Sequence, residues 1–392
     1  MRIVQELLIE LAKGIGRFFL HPAVYITLLF SVLIGYVRVK RERQQFRTRI
    51  LWGWTETKQA LLDGYVWAIL LSVISIGVGL VVPTSWLFIY SAWMILFILL
   101  FMYQLGSAIY AITLGVVTLY VMHVNNWSFQ LFSEDLTGLN MMNEKAIVPI
   151  AILAGLLLIV EGALIQKHGA KNASPKLVKT ARGIEAMEYI TKRLWLLPVL
   201  LVIPGDVIDT YMPYWPQFTL GESSFSLVLF PFVIGFQQKS RRSLASQFFP
   251  RYGKMIWQLG IVVTLAAAIG YVMPVISTIT LLLGVLARFI ISFVEYRKEI
   301  SGTYAVSPQS NGVMIAAVLT DSPAEKMGLQ IGERIVKVNG QKVTNEQELY
   351  EAVQINAAHC RLEVLDFNGE LRLRQHVLFR HDHYRLGLIL IR

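Results

Sequence analysis

Charge and cysteine are what this sequence of 392 residues has least of. Charged residues make up 16% of it, where a soluble domain carries about 25%. That shortage excludes a single soluble body over most of the length. The one cysteine, Cys360, excludes an internal disulfide and leaves a thiolate metal site without companions. It reads as a small buried residue next to a strand. Catalytic constellations are missing as well. No His-Glu-x-x-His occurs among the seven histidines at 21, 123, 168, 359, 376, 381 and 383, so the zinc intramembrane protease pattern is absent. His381-Asp-His383 sits among charged residues and reads as a solvated turn. Ser223 and Ser224 have no histidine partner nearby. Asp206 and Asp209 fall in one segment, whereas an aspartyl intramembrane protease draws one from each of two spans. There is no Gly-rich phosphate loop. The expectation is a chain that is not an enzyme and takes no cofactor and no metal.

Apolar residues are plentiful: 55% of the chain, with a mean hydropathy of +0.54. Nearly all the excess lies before residue 295. Residues 1–17 place Ile3, Leu7, Leu8, Leu11 and Ile15 on one helical face, which suits a helix at a membrane surface. Apolar segments follow at 18–37, 65–82, 86–103, 107–124, 147–165, 194–203, 225–236, 255–273 and 275–294. A crossing needs roughly 20 residues. The stretches 194–203 and 225–236 are short and must borrow neighbours to span. The expected fold is a polytopic α-helical membrane domain of about eight or nine segments, followed by a C-terminal α+β domain. The expected boundaries are 1–17, 18–294, a linker at 295–302, and a last domain at 303–392.

The net charge of +10 sits in the linkers. Linkers 38–58 and 166–193 each hold seven Lys/Arg against two acids, and 237–254 holds five against none. The intervening linkers, 124–146 and 205–224, share one lysine and six acids. Excess Lys/Arg marks cytoplasmic loops, so alternation puts the three basic linkers and the C-terminal domain in the cytoplasm. The tail from Glu295 carries twelve bases and twelve acids. The positive charge therefore implies contact with anionic membrane lipid and no nucleic acid. Two ionisable residues, Glu161 and Arg288, lie inside apolar segments. Both are within about two turns of the expected cytoplasmic end, where side chains snorkel; pairing across the bundle is the other reading.

The stretch 311–340 reads NGVMIAAVLTDSPAEKMGLQIGERIVKVNG. Two β-rich runs flank a short helix with Pro323 at its start and Gly328 past its end. Asn339-Gly340 then closes a tight turn. The order Ser-Pro-Ala, Gly-Leu, Gly-Glu-x-Ile and Val-Asn-Gly resembles a bacterial PDZ domain. Such a domain reads a partner segment as an added strand and often captures a terminal carboxylate. The resemblance implies a groove lined by Val313 and Ile315 on the first long strand and by Leu349 and Val353 on the second helix. Two stretches are candidates for its carboxylate loop. Tyr304-Ala305-Val306 has the expected upstream position but lacks the glycine. Leu386-Gly387-Leu388 has the glycine but lies at the opposite end.

Phe18-Phe19-Leu20-His21-Pro22, Gly35-Tyr36-Val37-Arg38 and Ile203-Pro204-Gly205-Asp206 with Met212-Pro213-Tyr214-Trp215-Pro216 resemble the MinJ family. These are membrane adaptors of division-site selection in rod-shaped Gram-positive bacteria. The resemblance runs the full length. It implies a scaffold that bridges DivIVA-like and MinD-like proteins, the latter working with MinC, among other division proteins at septa and cell poles. It leaves a homo-oligomer open. The alternative reading is a PDZ substrate-recognition partner of a membrane protease or secretion complex.

Overall fold

The computed structural model describes residues 14–127, 130–131, 134–135, 146–180, 182–209, 224–356, 359–377 and 386–391. Most of the amphipathic segment 1–17, residues 212–216, Ser223 and His381–His383 lie outside them.

Among the described residues the N-terminal body is built by α1 (Pro22–Phe46), α2 (Thr55–Leu62), α3 (Tyr65–Val78), α4 (Thr84–Leu99), α5 (Ala108–Val124), α6 (Ile147–His168), α7 (Ala245–Ile269) and α8 (Pro274–Ile300), with residues 14–20 also helical ahead of α1. Proline occupies the first position of α1 and α8, where its missing N–H costs no helical bond. The His21 ring accepts the Ala23 N–H at the entry to α1. Among the described residues, five stretches are long and apolar enough to cross a membrane: Pro22–Phe46, Thr55–Val78, Ile147–His168, Ala245–Ile269 and Pro274–Ile300. Helices α4 and α5 are apolar but shorter. Helix α8 continues through residue 300, across most of the stretch expected as linker.

Two of the nine expected spans are not helices. Residues 194–203 and 225–236 lie in long strands, β2 (Glu185–Asp209) and β3 (Ser224–Ser240). With β1 (Ser174–Lys179) they form an antiparallel sheet in the order β1-β2-β3. Proline works against a helix at mid-run in both stretches, whereas α7 takes up Pro250 close to its start. Pro198 stands directly opposite Pro231, and each would break a helix at mid-length. The sheet tolerates both. Leu200 and Val202, of the same parity as Pro198, turn their backbone groups outward to the helices. Leu200 N–H donates to the Ser72 hydroxyl at 2.8 Å, and Val202 C=O accepts from Val82 N–H at 3.0 Å. On β3, Val233 C=O accepts from the Tyr90 hydroxyl at 3.4 Å, and Gly235 N–H donates to Gly106 C=O at 2.7 Å. Neither proline therefore removes a ladder bond. Both sheet edges find partners on helices and loops, as an apolar surrounding demands.

The helices that close over this hairpin approach very near. Helices α6 and α7 run antiparallel with glycines at matching seven-residue intervals, Gly155 and Gly162 against Gly260 and Gly253. A Cβ on Gly162 would lie 2.4 Å from the Trp257 nitrogen, and one on Gly260 would lie 2.5 Å from the Ile159 nitrogen. Small residues at such a seam let two backbones meet. Beside it, Glu161 and Arg288 are both buried, at 0% and 2% exposure. Arg288 Nη2 sits 2.7 Å from Glu161 Oε1, and Arg288 Nη1 donates to the Tyr252 hydroxyl at 3.0 Å. Ser107 and Ser292 complete the shell. The two residues pair across the bundle and do not snorkel, because Glu161, Tyr252 and Ser292 accept four of the five guanidinium N–H donors that water would otherwise have met.

Two predictions follow from this packing. Gly162→Leu forces side-chain atoms into backbone with no flexible neighbour to yield, and overpacking of that kind costs about 3 kcal/mol. The purified protein then melts well below wild type, whereas an unchanged melting temperature would show that the seam can open. Arg288→Met strands the Glu161 carboxylate and costs about 3–5 kcal/mol, while Glu161→Gln with Arg288→Met recovers a good part of that loss. Melting of both singles and the double measures this coupling, and simple additivity would contradict it.

Candidate partner-binding face

The C-terminal domain comprises β4 (Val313–Val318), α9 (Pro323–Lys326), β5 (Arg334–Val338), β6 (Gln341–Lys342), α10 (Glu346–Gln354), β7 (His359–Leu365), β8 (Leu371–Val377) and β9 (Leu388–Leu390). Local signals set these elements. Ser322 accepts the Glu325 N–H to cap α9, and Asn345 accepts the Glu348 N–H to cap α10. Asn339 and Gly340 both take positive φ in the turn after β5. The strands order as β8-β7-β5-β4-β9. The last strand of the chain thus lies at a sheet edge, beside the first strand of the domain.

That placement separates the two loop candidates. Leu386-Gly387-Leu388 leads into the edge strand. Gly387 has φ +80°, and an added Cβ there would strike Ser322. The carbonyls of Leu386 and Gly387 are tied back by the N–H groups of Ala324 and Leu319, at 2.9 and 2.8 Å. Planar trans peptides therefore turn the N–H groups of Gly387 and Leu388 to the opposite side. Leu386, Leu388 and Leu390 share one apolar core with Val313, Ile315, Leu349 and Val353. Seven of the ten expected groove residues are brought together here. The first long strand is not the groove edge, however, because β9 covers it.

Tyr304, Ala305 and Val306 are elsewhere. The Arg241 guanidinium stacks 4.0 Å from the Tyr304 ring centroid. Ala305 N–H donates to Arg241 C=O at 2.9 Å, and Val306 C=O accepts from Met187 N–H at 3.0 Å. This stretch is a seam joining the domain to the bundle's sheet. The upstream position therefore misled: without the glycine, its backbone is spent on packing.

Sequence reasoning missed the rest of the seam. Register along β4 and β9 jumps so that Ile389 faces Ala317 while Leu390 faces Ile315. Ala316 is left over as a bulge. Its carbonyl accepts the buried Tyr189 hydroxyl of β2 at 2.7 Å. Met314, Ala316 and Ile391 belong to the bundle's core, and Ile389 packs against it. On the bundle side, Glu299 near the end of α8 accepts the N–H groups of Arg241, Arg242 and Ser243 at 2.8, 2.8 and 3.1 Å. The alternation in Glu185-Ala-Met-Glu-Tyr-Ile was the available signal, hidden inside a stretch counted only for its charge. Cys360 is buried in β7, and burial pushes its thiol up to about 11.

Residues 314–365 match the PDZ domain family. The "Serine protease HTRA3" of Rattus norvegicus is 40% identical over 62 residues, only 16% of this chain and 13% of that one. Likeness to proteases stops at the PDZ domain. Two other relatives reach across the bundle. "Probable cell division topological determinant MinJ" of Lacticaseibacillus paracasei is 26% identical over 71% of this chain and 77% of its own. "Cell division topological determinant MinJ" of Bacillus subtilis is 30% identical over 386 residues, 98% of this chain and 96% of its own. An apolar helical body, a PDZ domain at its C-terminal end and likeness along both together mean that the chain belongs to the MinJ family of cell division topological determinants, which are not enzymes.

Proposed function

We propose that this chain is a membrane scaffold of division-site selection that bridges a DivIVA-like, pole- and septum-marking protein to a MinD-like ATPase and its MinC partner. The observation that carries the reading is the outer edge of β9, which no strand pairs with among the described residues. A partner segment adds to that edge as a further strand, with Leu388 and Leu390 offering outward backbone groups and α10 supplying the apolar wall. The N–H groups of Gly387 and Leu388 suit a terminal carboxylate, and an internal segment uses the strand edge alone. The basic linkers gather at the end of the bundle that carries the PDZ domain. On the charge rule that end is cytoplasmic, the compartment of both partners, and enrichment at septa and poles follows from the marking partner.

Two outcomes test this. A fluorescent fusion of the full chain concentrates at septa and new poles of dividing rod-shaped cells, and Val353→Lys, which puts a charge on the groove wall, reduces that signal to the level of the side wall. Glu351→Lys, on the exposed face of the same helix, leaves it unchanged. Folding of each variant is read from Cys360, whose buried thiol resists alkylation at pH 8 until the domain unfolds. Septal signal surviving in a folded Val353→Lys protein would remove the groove from targeting. A second experiment uses a reporter after Arg392 that is active only in the cytoplasm. Activity is expected; an inactive reporter would overturn the bridge and favour a PDZ partner of extracytoplasmic proteolysis.

A further inference from the structure

A crevice of about 100 Å³ opens between α1, the turn after α4 and the sheet, at the PDZ end of the bundle. That is room for roughly three waters, or one phosphate-sized group. Its polar half does not close on itself. Arg41 Nη2 donates to the Ser174 hydroxyl at 2.7 Å, but its buried Nε has no partner. Tyr103 is 3% exposed and its hydroxyl also has none. The Lys192 ammonium stands 5.9 Å from the centroid of the Tyr103 ring.

The carboxylates nearby are already committed. Glu56, which lines the crevice, holds Arg38 Nε at 2.6 Å. Glu42 takes Arg38 Nη1 at 3.0 Å, the Ile50 N–H at 2.9 Å and the Ser174 hydroxyl at 2.8 Å. Glu188 faces Lys239 at 3.7 Å. Arg38 is thus neutralised from within, while Arg41 and Lys192 form no ion pair among the described residues. Two cations and a phenol hydroxyl line one small space, and the unmet Arg41 Nε–H and Tyr103 hydroxyl carry a penalty that an anion would lift. The mouth is apolar. Leu33, Val37 and Phe101 line it, and Val37 on α1 and Phe101 just past α4 are exposed.

We propose that this crevice binds the phosphate of an anionic phospholipid. Arg41 and Lys192 take the charge, Tyr103 donates its hydroxyl, and the acyl chains leave past Val37 and Phe101. The site makes the bundle selective for the lipid it sits in, independently of any division partner.

The test uses the full chain, purified in neutral detergent. Its melting is followed with added phosphatidylglycerol, phosphatidylcholine or inorganic phosphate, and bound lipid is counted by native mass spectrometry. Phosphatidylglycerol is expected to raise the melting temperature by several degrees beyond phosphatidylcholine and to remain bound through gentle activation. Arg41→Gln with Lys192→Gln abolishes both effects. Lys40→Gln with Arg43→Gln, which removes the same charge from exposed positions of the same helix, keeps them. Tyr103→Phe, which removes a single hydroxyl, weakens phosphatidylglycerol binding about tenfold and serves where the double variant does not fold. Equal stabilisation by the two lipids would overturn the proposal, as would an unchanged response in both Arg41→Gln/Lys192→Gln and Tyr103→Phe. Full stabilisation by inorganic phosphate alone would overturn the lipid assignment and leave a free-phosphate site.

Discussion

Everything in the N-terminal body follows from one requirement: each backbone N–H and C=O placed in apolar surroundings must find a partner. Helices meet it internally. The β2-β3 hairpin cannot, because an open sheet has two edges. The bundle answers with groups placed for the purpose, among them the Ser72 and Tyr90 hydroxyls and the main chains of Val82 and Gly106. Those four positions come from α3, α4 and the two connections after them. The helices therefore cannot be rearranged without uncovering the hairpin. The glycine seam between α6 and α7 belongs to the same economy of space, since only bare backbones fit so closely side by side.

Charge within the body is handled in the same way. Glu161 and Arg288 join α6 to α8, and Arg38 is held by Glu42 and Glu56 where α1 meets α2. A buried pair of this kind is weak evidence for added stability, because desolvation consumes most of what the attraction supplies. It is better evidence for register. Each arrangement fixes one helix against another at a single height, which uniformly apolar helix faces do poorly. Glu299 does the same for the turn entering α7, gathering three consecutive backbone N–H groups at the end of the last helix.

Much of this was legible in the sequence, and the failures have physical causes. The helical segments stood out because length and apolarity suffice to mark them. The PDZ core stood out because caps and turns at fixed spacing carry local reasons for each residue. The hairpin did not. Leu194–Ile203 and Phe225–Phe236 are apolar on both faces, as buried strands are, and periodicity cannot separate such runs from buried helices. Pro198 and Pro231 were the usable signal, one in the middle of each run. The proposed groove was half legible. Leu349 and Val353 follow from helical spacing, but pairing β9 with β4 joins residues some seventy positions apart, and no local pattern encodes that. Glu161 and Arg288 were visible as anomalies, while their meeting depended on how three helices pack.

The seam has a consequence for how a partner is met. Tyr189 grips the bulge at Ala316 and Met187 grips Val306, so the PDZ domain is mounted and not tethered. A reader on a flexible leash searches a sphere whose radius is the linker length. This one offers its strand edge at one height and one heading relative to the bundle. Under the proposed strand addition, partners held at that height dock without ordering a linker, and those beyond it are out of reach whatever their sequence. Selection by altitude comes before selection by side chain.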